Sequence, residues 1–295
     1  MNGRLVEAAR ARVPALDRGL LHGDGLYETW RTYGGEPFAV AAHLRRLAAA
    51  ARRLALPVPG DAAVWVRRSR LLVRRNRLPD AAVRLTITRG DTGDELVPAE
   101  RSRPTVLLTV RPLPRDLVRR QKRGIRVVLL PFPRDAAAPW ARMKLVGHAS
   151  AVIGRQYAAR HGAADGLYVT AGGEVTEATT SNVFIVERGA LVTPPLDFGI
   201  LPGVTREIVG RLARRAGLTV REERLSIARV RRAAEAFLTA STVEVLPVVR
   251  IDRRAVGTGR PGPTTIRVQA LYRAHVERAR TAGRRGVRAI ALRAR

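Results

Sequence analysis

Apolar and polar residues alternate over 83–88, with Val83, Leu85 and Ile87 on one side and Arg84, Thr86 and Thr88 on the other. A period of two predicts a strand with one buried face. A second strand is predicted over 105–110, and the turn-rich Arg89-Gly90-Asp91-Thr92-Gly93-Asp94-Glu95 makes the pair a hairpin. Upstream, Leu44, Leu47, Ala51 and Leu54 recur at helical spacing over 41–56 and stop before Pro57. These elements read as a small α/β domain, 1–114. Arg111-Pro112-Leu113-Pro114-Arg115 and the charge run to Arg123 mark an interdomain linker, 115–124. Further on, the pattern predicts a strand at 125–130, a helix at 146–161 closed by Gly162, and strands at 166–170 and 182–186. A helix follows Gly203 through Ile208, Val209 and Leu212 to Gly217, then strands at 236–240 and 245–250 and a last helix at 264–280. They make a second α+β domain, 125–281, ahead of a basic tail, 282–295.

Composition narrows the chemistry. No apolar run approaches the roughly 18 residues of a membrane span, and the first twenty residues lack a signal-peptide core, so a soluble, cytoplasmic protein is expected. The absence of cysteine removes disulfides, thiolate catalysis and Cys-ligated zinc, and five histidines supply little for a His-rich metal site. No metal is expected. A formal net charge of +29 raises nucleic acid as a partner. The arginines of 45–53 and 211–215 are, however, mostly scattered in ones and twos without interleaved aromatics to stack on bases. A general bias toward Ala, Arg, Gly and Pro explains the excess, and no specific nucleic-acid partner is expected. The tail, with no acid after Glu277, reads as a disordered basic segment or a nonspecific anion binder.

Of 54 Lys plus Arg residues only Lys122 and Lys144 are lysines. Guanidinium stays protonated and forms no Schiff base, so amine chemistry has two candidates. Lys122 sits in the charge run Arg119-Arg120-Gln121-Lys122-Arg123, a solvated face. Lys144 heads the small, apolar stretch 145–153 and reads as either a buried, chemical lysine or an ordinary one. Leu201-Pro202-Gly203-Val204-Thr205-Arg206 is a glycine turn feeding a helix, hence a phosphate site or a plain capped helix. Thr239-Ala240-Ser241-Thr242 places hydroxyls after an apolar strand, which suits phosphate or a simple turn. Glu177, among small polar residues, either faces a pyridinium nitrogen or sits at a turn.

Taken in order, these residues resemble the fold-type IV (class IV) pyridoxal-phosphate aminotransferases, a group with branched-chain and D-amino-acid aminotransferases and aminodeoxychorismate lyase. The resemblance spans about 1–275. Asp17-Arg18-Gly19-Leu20, Gly23-Asp24-Gly25-Leu26-Tyr27-Glu28-Thr29 and His43-Leu44-Arg45-Arg46-Leu47 are similar to the family's opening pattern. The resemblance implies two domains, a small N-terminal α/β domain and a larger C-terminal pseudo-barrel domain. It assigns Lys144 to the Schiff base with pyridoxal 5'-phosphate and Glu177 to the pyridine nitrogen. Arg46, Val204, Thr205, Ser241 and Thr242 fall to the phosphate, and Ser181-Asn182-Val183-Phe184 matches the motif that follows the carboxylate. It also implies a homodimer in which 89–97 closes the neighbour's site. Asp91, Asp94 and Glu95 concentrate acid there, which points to a cationic partner surface or a plain solvated turn.

Substrate choice is less constrained. The Arg-x-His pair of D-amino-acid enzymes is absent from Asp91 to Val97. Arg84 occupies a place similar to a cation of the branched-chain enzymes and the lyase, and Arg89 is nearby; each reads as a substrate carboxylate site or a surface ion pair. Where the family usually has Asn three residues after the lysine, Gly147 stands, followed by His148, a proton relay or a hydrogen-bonded helix residue. Tyr27 lines the pocket in relatives, or is core. The leading expectation is transfer of an amino group between an amino acid, neutral and branched-chain-like, and a 2-oxo acid. The alternative is aminodeoxychorismate lyase chemistry giving 4-aminobenzoate and pyruvate. A basic nucleic-acid-binding protein that kept only the fold is disfavoured by the intact Lys144, Glu177 and Arg46 set.

Overall fold

The computed structural model describes residues 1–93, 95–99 and 102–293, the side chains of 283–293 excepted. Asp94 of the acidic hairpin and Ala294 and Arg295 of the basic tail lie outside the described residues. Two compact units form, one from Met1–Leu113, Met143–His148 and Ala279–Arg295, the other from Pro114–Arg142 and Ala149–Arg278.

The first unit contains α1 (Arg18–Leu21), β1 (Gly25–Tyr33), β2 (Glu36–Pro37), α2 (Val40–Arg53), α3 (Ala62–Arg75), β3 (Ala81–Thr88) and β4 (Thr105–Pro112). Its antiparallel sheet has the order β2-β1-β3-β4. Leu26, Trp30, Leu47, Trp65, Val83, Leu85 and Ile87 form the core. In β1, Leu26, Tyr27 and Glu28 are buried in succession, so the alternation that reveals β3 is missing. In α3 the inward positions are Trp65, Ser69 and Val73, and Ser69 breaks the apolar stripe. The polar residue is nonetheless satisfied, since Trp30 Nε1 donates to Ser69 Oγ at 3.1 Å. Residues 143–148 run along β1. Tyr27 N–H donates to Lys144 O at 3.0 Å, and Val146 N–H donates to Gly25 O at 3.0 Å. The lysine identified from sequence is thereby fixed to the unit's central sheet.

The β3–β4 hairpin is held from below by a buried guanidinium. Arg18 donates to the carbonyls of Gly93, at 3.2 Å, Glu95, and Leu96, at 2.9 Å, and its Nε reaches Asp24 Oδ2 at 3.1 Å. Arg89 grips the same carboxylate, with Nε to Asp24 Oδ2 at 2.6 Å and Nη2 to Oδ1 at 3.2 Å. Leu96 and Val97 at the loop tip are left highly exposed.

The second unit begins with α4 (Leu117–Arg123), a helix where sequence suggested only a linker. Leu117 and Gln121, four residues apart, are buried beneath the charged face, which outnumbers them in sequence. There follow β5 (Ile125–Pro133), α5 (Ala149–Arg160), β6 (Asp165–Val169), β7 (Glu174–Ala178), β8 (Asn182–Glu187), β9 (Ala190–Thr193), α6 (Val204–Arg215), β10 (Val220–Glu222), β11 (Leu225–Ser226), α7 (Ile227–Arg232), β12 (Glu235–Ala240), β13 (Glu244–Ile251), β14 (Arg254–Ala255) and α8 (Pro263–Arg293). Helix α8 outruns the expected 264–280: no proline follows Pro263 within it, and alanine and arginine, both good helix formers, outnumber Gly283 and Gly286. The parallel pair β5 and β6 needs a crossover, and α5 supplies it, packing on both strands. The path β8-β12-β13-β5-β6-β7 closes on itself through one pairing, Glu177 with Asn182. Val127, Leu167, Val175, Ile185, Leu238 and Val248 belong to the core it surrounds.

Loss of the Arg18 contacts should free the hairpin tip. Charge-assisted hydrogen bonds contribute about 1.5–3 kcal/mol each, so Arg18→Met should speed limited proteolysis within 91–99 by about tenfold or more. An unchanged cleavage rate in a folded variant would show that the loop is ordered by other means.

Candidate active site

On the first unit, β1 and β3 are paired so that Tyr27 lies opposite Thr86, and Thr29 opposite Arg84. Tyr27 is buried, and two cations approach its ring: Arg84 Cζ at 3.6 Å and Lys144 Nζ at 4.4 Å from the centroid. A π face attracts cations, so the ring gives the flexible lysine a defined position. His148 Nε2 hydrogen-bonds the Tyr27 hydroxyl. Burial, followed by the charges of Lys144 and Arg84, lowers the His148 pKa to about 4. At neutral pH the imidazole is therefore uncharged. Four residues singled out from sequence, Tyr27, Arg84, Lys144 and His148, thus form one cluster.

Arg46 is held a short distance along the chain by a buried triad. Its Nε and Nη2 donate to Glu28 Oε1 and Oε2 at 2.8 and 2.6 Å, and His43 Nδ1 lies 2.7 Å from Oε2. Burial alone would raise the Glu28 pKa, but the Arg46 charge and the hydrogen bonds of Arg46 and His43 outweigh it and bring it to about 2. For His43 burial prevails and lowers the pKa despite the neighbouring carboxylate. The imidazole is neutral and donates Nδ1–H to an ionised Glu28. This fixes the arginine in one orientation.

On the second unit, Glu177 stands at the pairing that closes the barrel. Its Oε2 accepts from Asn182 Nδ2 at 3.0 Å and from Leu201 N–H at 3.1 Å, while Oε1 meets Arg134 Nη2 at 2.8 Å. Asn182 also donates to Leu201 O at 2.9 Å, tying the carboxylate to the segment that enters α6. Gly203 precedes α6 and touches Asn182 so closely that a Cβ would come 1.9 Å from Oδ1. The N-cap residue of α6, Gly203, has no side chain to cap the first turn, where Val204 and Thr205 are buried. Asn182 is in register with Thr239, whose buried Oγ1 has no hydrogen-bond partner. Ser241 and Thr242 follow at the end of the same strand, β12. The N–H groups at the start of α6 and the orphaned Thr239 hydroxyl suit a phosphate, and the anchored carboxylate suits a ring cation.

One sequence reading is narrowed. Arg89 is buried, its guanidinium engaged by Asp24 and by the carbonyls of Leu54, at 2.7 Å, and Ala55, at 3.1 Å. It braces the hairpin and is not offered to a substrate. Lys122 is exposed on α4. Arg134, by contrast, was not singled out from sequence. It lies in Pro133-Arg134-Asp135, one arginine among many, and only the fold brings it to Glu177.

Each unit thus carries groups of a kind that a phosphorylated pyridine cofactor uses, an amine on the first and an anchored carboxylate and a free helix start on the second. The family model for amino-transferase class IV matches residues 25–251, and the chain belongs to that family, whose cofactor is pyridoxal 5'-phosphate. It is 32% identical over 273 residues to a Methanocaldococcus jannaschii protein provisionally named a branched-chain-amino-acid aminotransferase, covering 92% of this chain and 94% of the relative. It is 27% identical to a D-alanine aminotransferase of Staphylococcus aureus, with 94% and 97% covered. The crystal structure of Escherichia coli branched-chain amino acid aminotransferase superposes with a TM-score of 0.85 at 30% identity, covering 91% of this chain and 90% of that one.

The Glu28 and His43 shifts predict acid sensitivity. Both folded pKa values are depressed, so the stabilisation is present at neutral pH and is lost as pH falls. His43 begins to cost stability below its ordinary 6.5, and Glu28 follows as pH drops from 4.5 toward about 2. The Glu28 contribution is roughly 3 kcal/mol. The thermal midpoint should be highest near pH 7 and decline from about 6.5 downward, with His148 adding in the same sense. A midpoint that stays flat from about pH 7 to 4 would contradict the triad's charge states.

Proposed function

We propose that this aminotransferase moves an amino group between a neutral, branched-chain-like amino acid and a 2-oxo acid, as a homodimer in the cytoplasm. The observation that carries the reading is the Lys144 amine held against Tyr27, on a chain with only one other lysine. When bound, pyridoxal phosphate supplies an aldehyde carbon that links to amines and a ring that accepts the electrons of a breaking Cα–H bond. Lys144 is assigned the covalent link and, once released, the transfer of the Cα proton at Nζ. The Tyr27 ring receives the displaced amine, and neutral His148 holds the Tyr27 hydroxyl. Glu177 is assigned the ring nitrogen. Arg46, Thr205, Ser241, Thr242 and the N–H groups of Val204 and Thr205 are assigned the phosphate.

Arg84 is assigned a substrate carboxylate. Exposed Asp91 and Glu95 in the hairpin loop would disfavour an acidic side chain, which supports a neutral donor. The names of the branched-chain relatives support the same choice. Exposed Leu96 and Val97, on a loop held by Arg18, support a surface that a second subunit covers.

Reduction with borohydride should trap the cofactor in wild type and in Lys122→Arg but not in Lys144→Arg. A labelled peptide containing Lys122 would overturn the assignment. For the dimer, mixing a Lys144→Ala chain with one altered at Leu96 and Val97 should restore part of the activity. A fully active monomer by sedimentation would contradict it.

A further inference from the structure

We propose that Arg134 is a positioning residue that keeps the proton on the cofactor's ring nitrogen by holding Glu177 as a weakly basic, ionised carboxylate. The inference rests on the assignment of Glu177 to the pyridine nitrogen. Glu177 is almost wholly buried, and a carboxylate removed from water tends to take up a proton unless a cation and hydrogen-bond donors compensate it. Arg134 supplies such a cation from inside the same unit. Its Nη2 lies 2.8 Å from Glu177 Oε1.

The arginine is itself well placed. Its backbone N–H donates to Val169 O at 2.9 Å, beside β6, and Nη2 donates to Ala141 O at 2.9 Å and contacts Gly199 O at 3.3 Å. Its Cζ stands 5.3 Å from the centroid of the Tyr168 ring. Around Glu177 the packed elements contribute Arg134 after β5, the Tyr168 phenol from β6, Asn182 from β8 and the Leu201 N–H before α6. Arg134 is the cation in this set, and the amide and N–H groups act on the other oxygen.

The consequence is a division of labour between the two carboxylate oxygens. Asn182 and Leu201 orient Oε2, and Arg134 withdraws electron density through Oε1. A carboxylate without that cation is the stronger base. In a site shielded from water it would compete for the ring proton, and a neutral acid beside a neutral pyridine would replace the ion pair. A neutral ring is the poorer acceptor of the electrons released from Cα–H.

The test uses the holoenzyme loaded with pyridoxamine 5'-phosphate carrying 15N in its ring. In wild type the ring signal should sit at the pyridinium position between about pH 6 and 8, whereas in Arg134→Gln it should move toward neutral pyridine. Cα–H removal measured with deuterated donor should slow by about tenfold or more in that variant. Arg134→Lys keeps the charge and should retain a pyridinium-like signal. Adding Arg134→Gln to Glu177→Gln should slow the reaction no further, since the arginine acts through the carboxylate. A wild-type 15N position in Arg134→Gln would overturn the proposal. So would a neutral-pyridine signal in Arg134→Lys, a reading that serves if the glutamine variant does not fold. Failure of wild type to bind the labelled cofactor would instead refute the reading on which the proposal rests.

Discussion

A lysine does chemistry only where its backbone is held, and here the hold is the antiparallel pairing of residues 143–148 with β1. Two hydrogen bonds, Tyr27 N–H to Lys144 O and Val146 N–H to Gly25 O, attach a segment distant in sequence to the most buried strand of its unit. The same strand carries Tyr27, the ring against which the amine rests, and Glu28, the acid that fixes Arg46. One strand therefore supports the proposed covalent residue, its resting surface and the proposed phosphate arginine. A shift of β1 by one residue would exchange the faces of Tyr27 and Glu28, which are adjacent on the strand, and so part the amine from its ring and Arg46 from its carboxylate.

The second constraint is electrostatic. In a chain of net charge +29, several buried or half-buried arginines are found on carboxylates. Arg46 meets Glu28, Arg18 and Arg89 share Asp24, and Arg134 meets Glu177. Where the carboxylate is fully buried, as Glu28 is, removing its arginine leaves a buried charge uncompensated, a loss of about 3–5 kcal/mol. The sites differ in what lies beside them. Asp24 organises a hairpin, Glu28 orients an arginine, and Glu177 stands next to the start of α6 and an orphaned hydroxyl that suit a phosphorylated ligand.

Much of the fold was legible where a pattern had one buried face. The alternation at Val83, Leu85 and Ile87 and the helical spacing of Leu44, Leu47 and Ala51 both correspond to observed elements. Strand β1 was not legible because Leu26, Tyr27 and Glu28 are all buried, and α4 was not because its charges hide Leu117 and Gln121. At the candidate site, Lys144 stood out through the rarity of lysine, and Glu177 and Gly203 through their motifs. For Arg89 the choice between a substrate carboxylate and an ion pair stayed open, because nothing in its neighbourhood reveals Asp24 as a partner 65 positions away. Arg134 was invisible for the same reason, since its carboxylate comes from β7, which only the β5-β6-β7 pairing brings near.

The central claim is that this chain moves amino groups rather than expelling carbon fragments. A single-turnover reaction tests it directly. Cofactor-loaded enzyme is mixed, without any 2-oxo acid acceptor, with leucine as each enantiomer, with glutamate, and with aminodeoxychorismate. The account predicts conversion of the bound cofactor to its amine form by a leucine enantiomer, with about one equivalent of 4-methyl-2-oxopentanoate released per subunit, and slower conversion by glutamate. Release of pyruvate from aminodeoxychorismate, with the leucine reactions silent, would contradict it.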